Sequence, residues 1–348
     1  MARDLKDLKD LALCAAKKTV PAEFANKTVE DVNDVLRQEL TELCGTYNKY
    51  RRNKYDLFEI MQETMDEIVP KEVESFVNIF AEVRNYANGQ KPSFKVKKGK
   101  TRAKRFATRA TASGVYETFR LDSDTVEVST FVIGDAAYID FERFLSGEED
   151  WADYMEALMA GILHKVYTEL FDCLIAQSTV TSLTNHNMYE TDSNYNSENF
   201  GSLVNKVKNY GAAVIVACPE FIDKMGPDAI VPGTTNYQGI YSPDDIASIA
   251  SIGRIRQYRG TPIIEMPQSV VDEMNNKLVF NPAYAYILPV GNEKVLKVAF
   301  EGPTIVKDWE NRDNSMEIQA YKKMGAAIVT YNNWAIYKNE EIDGTDIG

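Results

Sequence analysis

Residues 146–178 read SGEEDWADYMEALMAGILHKVYTELFDCLIAQS, and the organisation of the whole chain follows from what this stretch can form. Ser146 and Glu149 have the spacing of a capping box, in which a serine oxygen accepts an orphan amide and a glutamate three residues on reaches back. Glu148, Glu149, Asp150 and Asp153 put negative charge in the first turns, where the helix dipole favours it. Beyond them Trp151, Tyr154, Met155, Leu158, Met159, Ile162, Val166, Leu170, Cys173 and Leu174 recur at three- and four-residue intervals, with no proline among them. The spacing predicts one helix from about Ser146 to Ser178, about 45 to 50 Å long. A rod of that length suits a spine spanning an extended, flat subunit. The stretch by itself also fits a plain core helix of an ordinary α/β protein.

The rest of the composition fits a globular chain. With 348 residues, 44% of them hydrophobic and 26% charged, it can bury one large or two moderate cores. No apolar run reaches the length of a membrane span, and the opening Met-Ala-Arg-Asp-Leu-Lys-Asp lacks the apolar centre of a secretion signal, so the expected place of synthesis and residence is the cytoplasm. Cys14, Cys44, Cys173 and Cys218 are far apart and form no CxxC pair, which argues for small buried apolar residues rather than a zinc site or a disulfide framework. A net charge of −13 disfavours sequence-independent nucleic-acid binding over the surface as a whole.

Working outward from the spine toward the amino terminus, residues 1–50 read as a helical arm. Leu5, Leu8 and Leu11 line one side of a helix that ends by Pro21, and Val32, Val35, Leu36, Leu40 and Leu43 line a second from Thr28 to about Cys44, stopped by Gly45. Residues 51–90 begin the body, with a third helical pattern from Leu57 to Ile68 that Pro70 ends. Val73 to Val83 then fits either a fourth helix or a strand.

The charge changes abruptly at Lys91. From there to Arg109 stand nine basic residues, Lys91, Lys95, Lys97, Lys98, Lys100, Arg102, Lys104, Arg105 and Arg109, and no acidic one. Only Phe94, Val96 and Phe106 are large and apolar, too few for a core of their own. Strand-like alternation at Phe94–Lys98 and Val115–Leu121 predicts an extended hairpin over 91–125. A solvated loop, a nucleic-acid arm and an arm lying on an acidic neighbour all fit this segment. Without these nine charges the chain carries −22, so a second copy is an electrostatically suitable partner. Val126 to Val132 reads as a returning strand, within a segment 126–199 that also holds the spine.

Beyond the spine, 179–201 is rich in Asn, Ser and Thr and reads as a loop. Residues 200–276 form a small α/β unit: a helix over Phe200–Tyr210, a buried strand over Ala212–Ala217, a helix from Pro219, another opened by Ser242-Pro-Asp-Asp, and strands on either side of a Gly260-Thr-Pro262 turn. Residues 277–340 turn to β, with runs at 277–281, 284–290, 295–300, 304–309, 316–321 and 326–337, and 341–348 is an acidic tail.

Chemistry is hard to place on this chain. Its two histidines, His164 and His186, cannot supply a His-rich metal site, and HExxH, GxSxG and GxxxxGK[ST] are absent. No catalytic, metal or cofactor residue is expected, and no cofactor. A cytoplasmic α/β enzyme with an unrecognised carboxylate site is the alternative of a different class.

The order of elements, namely helical arm, basic hairpin, strand, long spine helix, α/β unit and closing β run, resembles the major capsid proteins of tailed bacteriophages, the Hong Kong 97 type of α+β fold. Three stretches carry the likeness. Phe141-Glu-Arg-Phe-Leu-Ser-Gly-Glu-Glu-Asp-Trp151 looks like the entry to that family's spine. Ile252-Gly-Arg-Ile-Arg-Gln-Tyr-Arg-Gly-Thr-Pro-Ile-Ile264 looks like its helix end, strand and turn, and Lys323-Met-Gly-Ala-Ala-Ile-Val-Thr-Tyr331 looks like its final strand. The resemblance runs from about residue 50 onward and implies a subunit of an icosahedral shell around double-stranded DNA. A peripheral domain would carry the spine and the C-terminal sheet, an axial domain would span 200–276, and an extended loop over 91–125 would overlap a neighbour.

Lys95, Lys97, Lys98, Lys100, Arg102, Lys104, Arg105 and Arg109 are then the expected inter-subunit contacts, and Trp151, Met155, Leu158, Ile162, Val166 and Leu170 the expected packing face of the spine. The expected partners are further copies in hexamers and pentamers, portal, scaffolding or decoration proteins, and packaged DNA touched non-specifically on the inner face, with no membrane. The expected location is the virion, after assembly in a bacterial cytoplasm. An encapsulin-like compartment is the close alternative.

Overall fold

A computed structural model describes residues 5–20, 28–98, 122–138, 151–225, 256–266, 268, 270, 274, 278–291, 294–310 and 316–342. Three helices come first: α1 (Leu5–Ala16), α2 (Val29–Cys44) and α3 (Tyr47–Val77). Thr28 and Asp31 close a reciprocal capping box on α2, and Gly45 follows as its C-cap. Leu8, Leu11, Ala12 and Ala15 of α1 and Val32, Leu36 and Leu40 of α2 are buried with Leu57, Ile60, Met61 and Met65 of α3 in one core. Lys9 reaches Glu59 and Glu63 of α3 at 2.8 and 2.6 Å, and Lys17 reaches Glu67 at 2.9 Å. Both helices of the expected arm are thus docked on the body.

The third helix does not end at Pro70. It runs on to Val77 with Pro70 inside it, and β1 (Ala81–Tyr86) follows. A proline inside a helix costs about 3 kcal/mol through its missing amide and its ring. Here Ile68, Val69, Val73 and Val77 are all buried on the two sides of it, and tertiary packing of that face outweighs the local cost.

Strands β2 (Ser93–Lys98) and β3 (Asp122–Glu127) pair antiparallel, Ser93 with Glu127 through to Lys98 with Asp122. β4 (Phe131–Tyr138) is separate from β3, so the single strand expected over Val126–Val132 is broken at 128–130. Gly325 stands against this break, and a β-carbon there would be 2.4 Å from the Ser129 carbonyl oxygen. Gly325→Ala is accordingly expected to lower unfolding free energy by about 2 kcal/mol, read as a shifted urea midpoint with an unchanged slope.

The spine, α4, is described over Trp151–Ile175, about 37 Å at 1.5 Å per residue, with 146–150 outside the described residues. It stops short of Ser178 because Ala176 turns to an extended conformation, and a new helix, α5 (Gln177–Asn185), begins there. The expected loop at 179–201 is instead α5, β5 (Tyr189–Asp192) and the start of α6 (Ser197–Lys208). The hydroxyls that suggest a loop are satisfied inside the helix, since Thr181, Ser182 and Thr184 donate to the carbonyls four residues back at 2.8–2.9 Å.

The later elements are β6 (Ala212–Ala217), α7 (Pro219–Met225), β7 (Gln257–Tyr258), β8 (Thr261–Glu265), β9 (Tyr284–Val290), β10 (Leu296–Glu310), β11 (Met316–Ile328) and β12 (Ala335–Asn339). Residues 226–255, with the helix expected at Ser242, lie outside the described residues. The turn between β7 and β8 is Arg259-Gly260, both at positive φ (46° and 69°) as a two-residue hairpin of type I′ requires, so it precedes the expected Gly-Thr-Pro turn by one residue. The runs expected at 295–300 and 304–309 form one strand, β10, with an irregularity between Glu301 and Ile305 where Gly302 takes φ 70°. The last β run divides into β11 and β12, and among the described residues of 277–281 Leu278 forms an isolated bridge to Val270.

Two main sheets result. One has the order β1-β10-β11-β4, with α3 and α4 against it. The other has the order β5-β12-β9-β6-β8-β7, so strands of the 200–276 segment share a sheet with strands from both flanking segments. An aromatic cluster of Tyr195, Phe200, Phe221, Tyr258 and Tyr337, ring centroids 4.9–6.2 Å apart, packs beneath this second sheet. Cys44 and Cys218 are buried as expected, whereas Cys14 and Cys173 are only partly so.

Candidate assembly surface

The basic segment begins on a packed, hydrogen-bonded mount. Phe94, fully buried on β2, packs with Val128, Ala299 and Tyr86, and the Arg84 and Lys297 cations stand 5.2 and 5.9 Å from its ring. Lys297, buried on β10, is paired with Glu82, which also holds Arg84 at 2.5 Å. Tyr86 donates its hydroxyl to the Ser93 carbonyl at 2.7 Å, and the Val128 amide donates to the Pro92 carbonyl at 3.1 Å. Glu301 accepts from the Gly89 amide at 3.1 Å and the Thr130 hydroxyl at 2.7 Å, tying both strands' approaches to β10. Lys91 pairs with Glu127 at the base.

Three carboxylates here and nearby are held below their ordinary pKa. Burial alone would raise Glu82, but the hydrogen bond and charge of Lys297, with Arg84, outweigh it. Lys71 and then Lys17 lower Glu67; the Thr130 hydroxyl and then the Gly89 amide lower Glu301. A depressed folded value means that the stabilisation is present above the unfolded carboxylate pKa of about 4.3 and is lost as pH falls through the folded values. The urea midpoint is therefore expected to hold between neutrality and about pH 5 and to fall below about pH 4, with Glu82→Gln flattening that acid limb.

A second polar cluster ties α3 to the sheet. One oxygen of Asp66 accepts from the Lys322 ammonium at 2.5 Å, the Thr304 hydroxyl at 2.5 Å and the Thr304 amide at 2.7 Å. Sequence reasoning missed it, as it missed Glu82 with Lys297: the partners are 256 and 215 residues apart. The available signal was a lysine inside an apolar strand, Lys297 between Leu296 and Val298.

Of the expected contact residues, Lys95 is exposed on β2 opposite Thr125, and Lys97 and Lys98 stand at the far end of that strand opposite Ser123 and Asp122. Lys100, Arg102, Lys104, Arg105 and Arg109 lie outside the described residues. On the spine Met155, Ile162, Val166 and Leu170 are buried in the main core; the side chains of Trp151 and Leu158 are outside the description. Gly161 lets the spine approach β4, for a β-carbon there would meet the Asp135 carboxylate at 1.6 Å. Among the described residues there is no group of three or more His, Cys, Asp and Glu side chains placed to hold a metal, and no helix is long and apolar enough to cross a membrane.

Residues 5–336 match the family model described as "SPbeta prophage-derived putative capsid protein YonB". The chain belongs to this capsid-protein family. The match includes α1 and α2, where the resemblance read from the sequence began only near residue 50. This capsid family is structural in kind rather than enzymatic. No curated protein matches the chain. Solved structures similar to the capsid chain include a phage-related protein of Bordetella bronchiseptica RB50 (8% identity, 82% of this chain and 97% of that one, TM-score 0.49). A chain of Microbacterium phage Oxtober96 (9%, 76% and 90%, 0.48) and the holo-SrpI encapsulin complex of Synechococcus elongatus PCC 7942 (14%, 79% and 89%, 0.44) are others. Family membership rests on the sequence match and not on these likenesses.

Proposed function

We propose that the chain is the major shell subunit of a tailed-phage head of the Hong Kong 97 type, assembling with itself as hexamers and pentamers around double-stranded DNA. The observation that carries this is the family match over nearly the whole chain, joined to a basic hairpin whose root is mounted on β1 and β10. A shell needs many modest contacts per subunit, and an extended arm supplies contact area without a large core. Its cations meet an otherwise acidic neighbour and set register and encounter rate more than affinity. Assembly would take place in the bacterial cytoplasm, with portal, scaffolding or decoration proteins as further partners and the virion as final location.

The contents of the particle test the reading. Shells purified from phage-producing cells are expected to hold nuclease-protected double-stranded DNA. Particles that instead enclose a defined enzyme and no DNA would mark an encapsulin-like compartment.

A further inference from the structure

The first turns of α3 carry Lys49, Arg51, Arg52 and Lys54 with no acidic residue in the first turn. Only Lys49 stands in the first turn, where a cation opposes the dipole at roughly 0.3–1 kcal/mol; Arg51, Arg52 and Lys54 lie beyond it, and what sets the two arginines apart is their exposure. The contrast inside the chain is direct: α2 opens with Glu30 and Asp31, and α6 with Glu198.

The placement of these side chains is regular. Asn48, Arg51, Arg52 and Tyr55, at i, i+3, i+4 and i+7, are all exposed and share one face, with Tyr55 72% exposed and the Lys54 ammonium 5.6 Å from its ring. The opposite face is committed to the fold: Tyr50 packs on the core and Asn53 donates to the Leu43 carbonyl at 2.7 Å. Further along, Glu59 and Glu63 are engaged by Lys9, and Asp56 is close enough to Cys44 for its charge to help raise that thiol's pKa. Among the described residues no ion pair reaches Arg51 or Arg52, whereas Lys9, Lys17, Lys71, Lys165, Lys224, Lys297 and Lys322 each hold a carboxylate.

We infer that this face of α3 is a nucleic-acid contact surface, binding the phosphate backbone of duplex DNA through Arg51 and Arg52, with Lys49 beside them and Tyr55 and Asn48 at its ends. Guanidinium groups take phosphate oxygens in pairs, and an exposed aromatic among cations is the pattern of sequence-independent binding. A chain of net charge −13 then binds DNA through one local stripe rather than over its surface. The inference rests on the capsid reading for its biological setting, and its test does not.

Anisotropy of a labelled duplex of about 30 base pairs, titrated with the full chain at several salt concentrations, reads the number of phosphate contacts, each worth about 0.9 in the slope of log K against log salt. The Arg51→Gln/Arg52→Gln variant is expected to be shallower by about 1.8 and at least about tenfold weaker near 0.1 M salt, with unchanged circular dichroism. Lys71→Gln/Lys165→Gln, which removes two charges already paired to glutamates, is expected to leave the slope as it was. Equal losses in both variants, or none in the first, would overturn the inference. So would unaltered DNA binding with shells lost in Arg51→Gln/Arg52→Gln, since the face would then be a contact between copies. A wild-type chain that binds DNA through these arginines yet forms no shells would leave the inference standing and remove the capsid reading.

Discussion

Asp66→Ala is expected to destabilise the chain by about 3 kcal/mol, while Lys322→Met costs about 1 kcal/mol or less. The asymmetry follows from what each change leaves behind. Lys322 is 5% exposed, and without Asp66 its ammonium keeps, among the described residues, the Thr304 hydroxyl at 3.3 Å and the Phe300 ring, 5.8 Å away. A buried charge stripped of its partner is the costly case. Methionine in place of Lys322 fills the same slot without a charge, and Asp66, with a side chain 27% exposed, retains both donors of Thr304. Paired urea titrations read the difference directly. Equal losses for the two variants would show that the cluster does not hold α3 to β10 and β11 as argued.

Reversing Lys97, Lys98, Arg102 and Lys104 together to glutamate is expected to abolish or severely impair shell assembly while circular dichroism of the isolated subunit stays unchanged. Lys97 and Lys98 end β2 at the side away from Phe94, which packs with Val128 and Ala299. If the arm lies on an acidic neighbour as proposed, four reversals turn that attraction into repulsion, and because such contacts weaken with salt, raising ionic strength is expected to restore part of the assembly. Normal shells from this variant would refute the electrostatic role of the arm.

The elements legible in the sequence are those whose signal is local. The Thr28 to Asp31 box, Gly45 and the 3.6-residue pattern of α2 are contained within one helix, and Ala212–Ala217 is a run of apolar residues between a glycine and a proline. The misread elements depend on distant partners. Pro70 is tolerated because the helix face on both sides of it is buried, and the hydroxyl-rich 177–185 is a helix that buries Thr179 and packs Leu183 into the main core. The same holds for the mount of the basic hairpin: the charge run at Lys91 was visible, but Glu82, Lys297 and Glu301 become a support only when β1 and β10 pair.

Negative-stain micrographs of the purified full chain, taken across concentration and salt, test most directly whether this subunit completes itself only among copies. Closed shells of uniform diameter, dissociating when the basic hairpin is reversed in charge, are the expected result. A monodisperse monomer or dimer under every condition would contradict it.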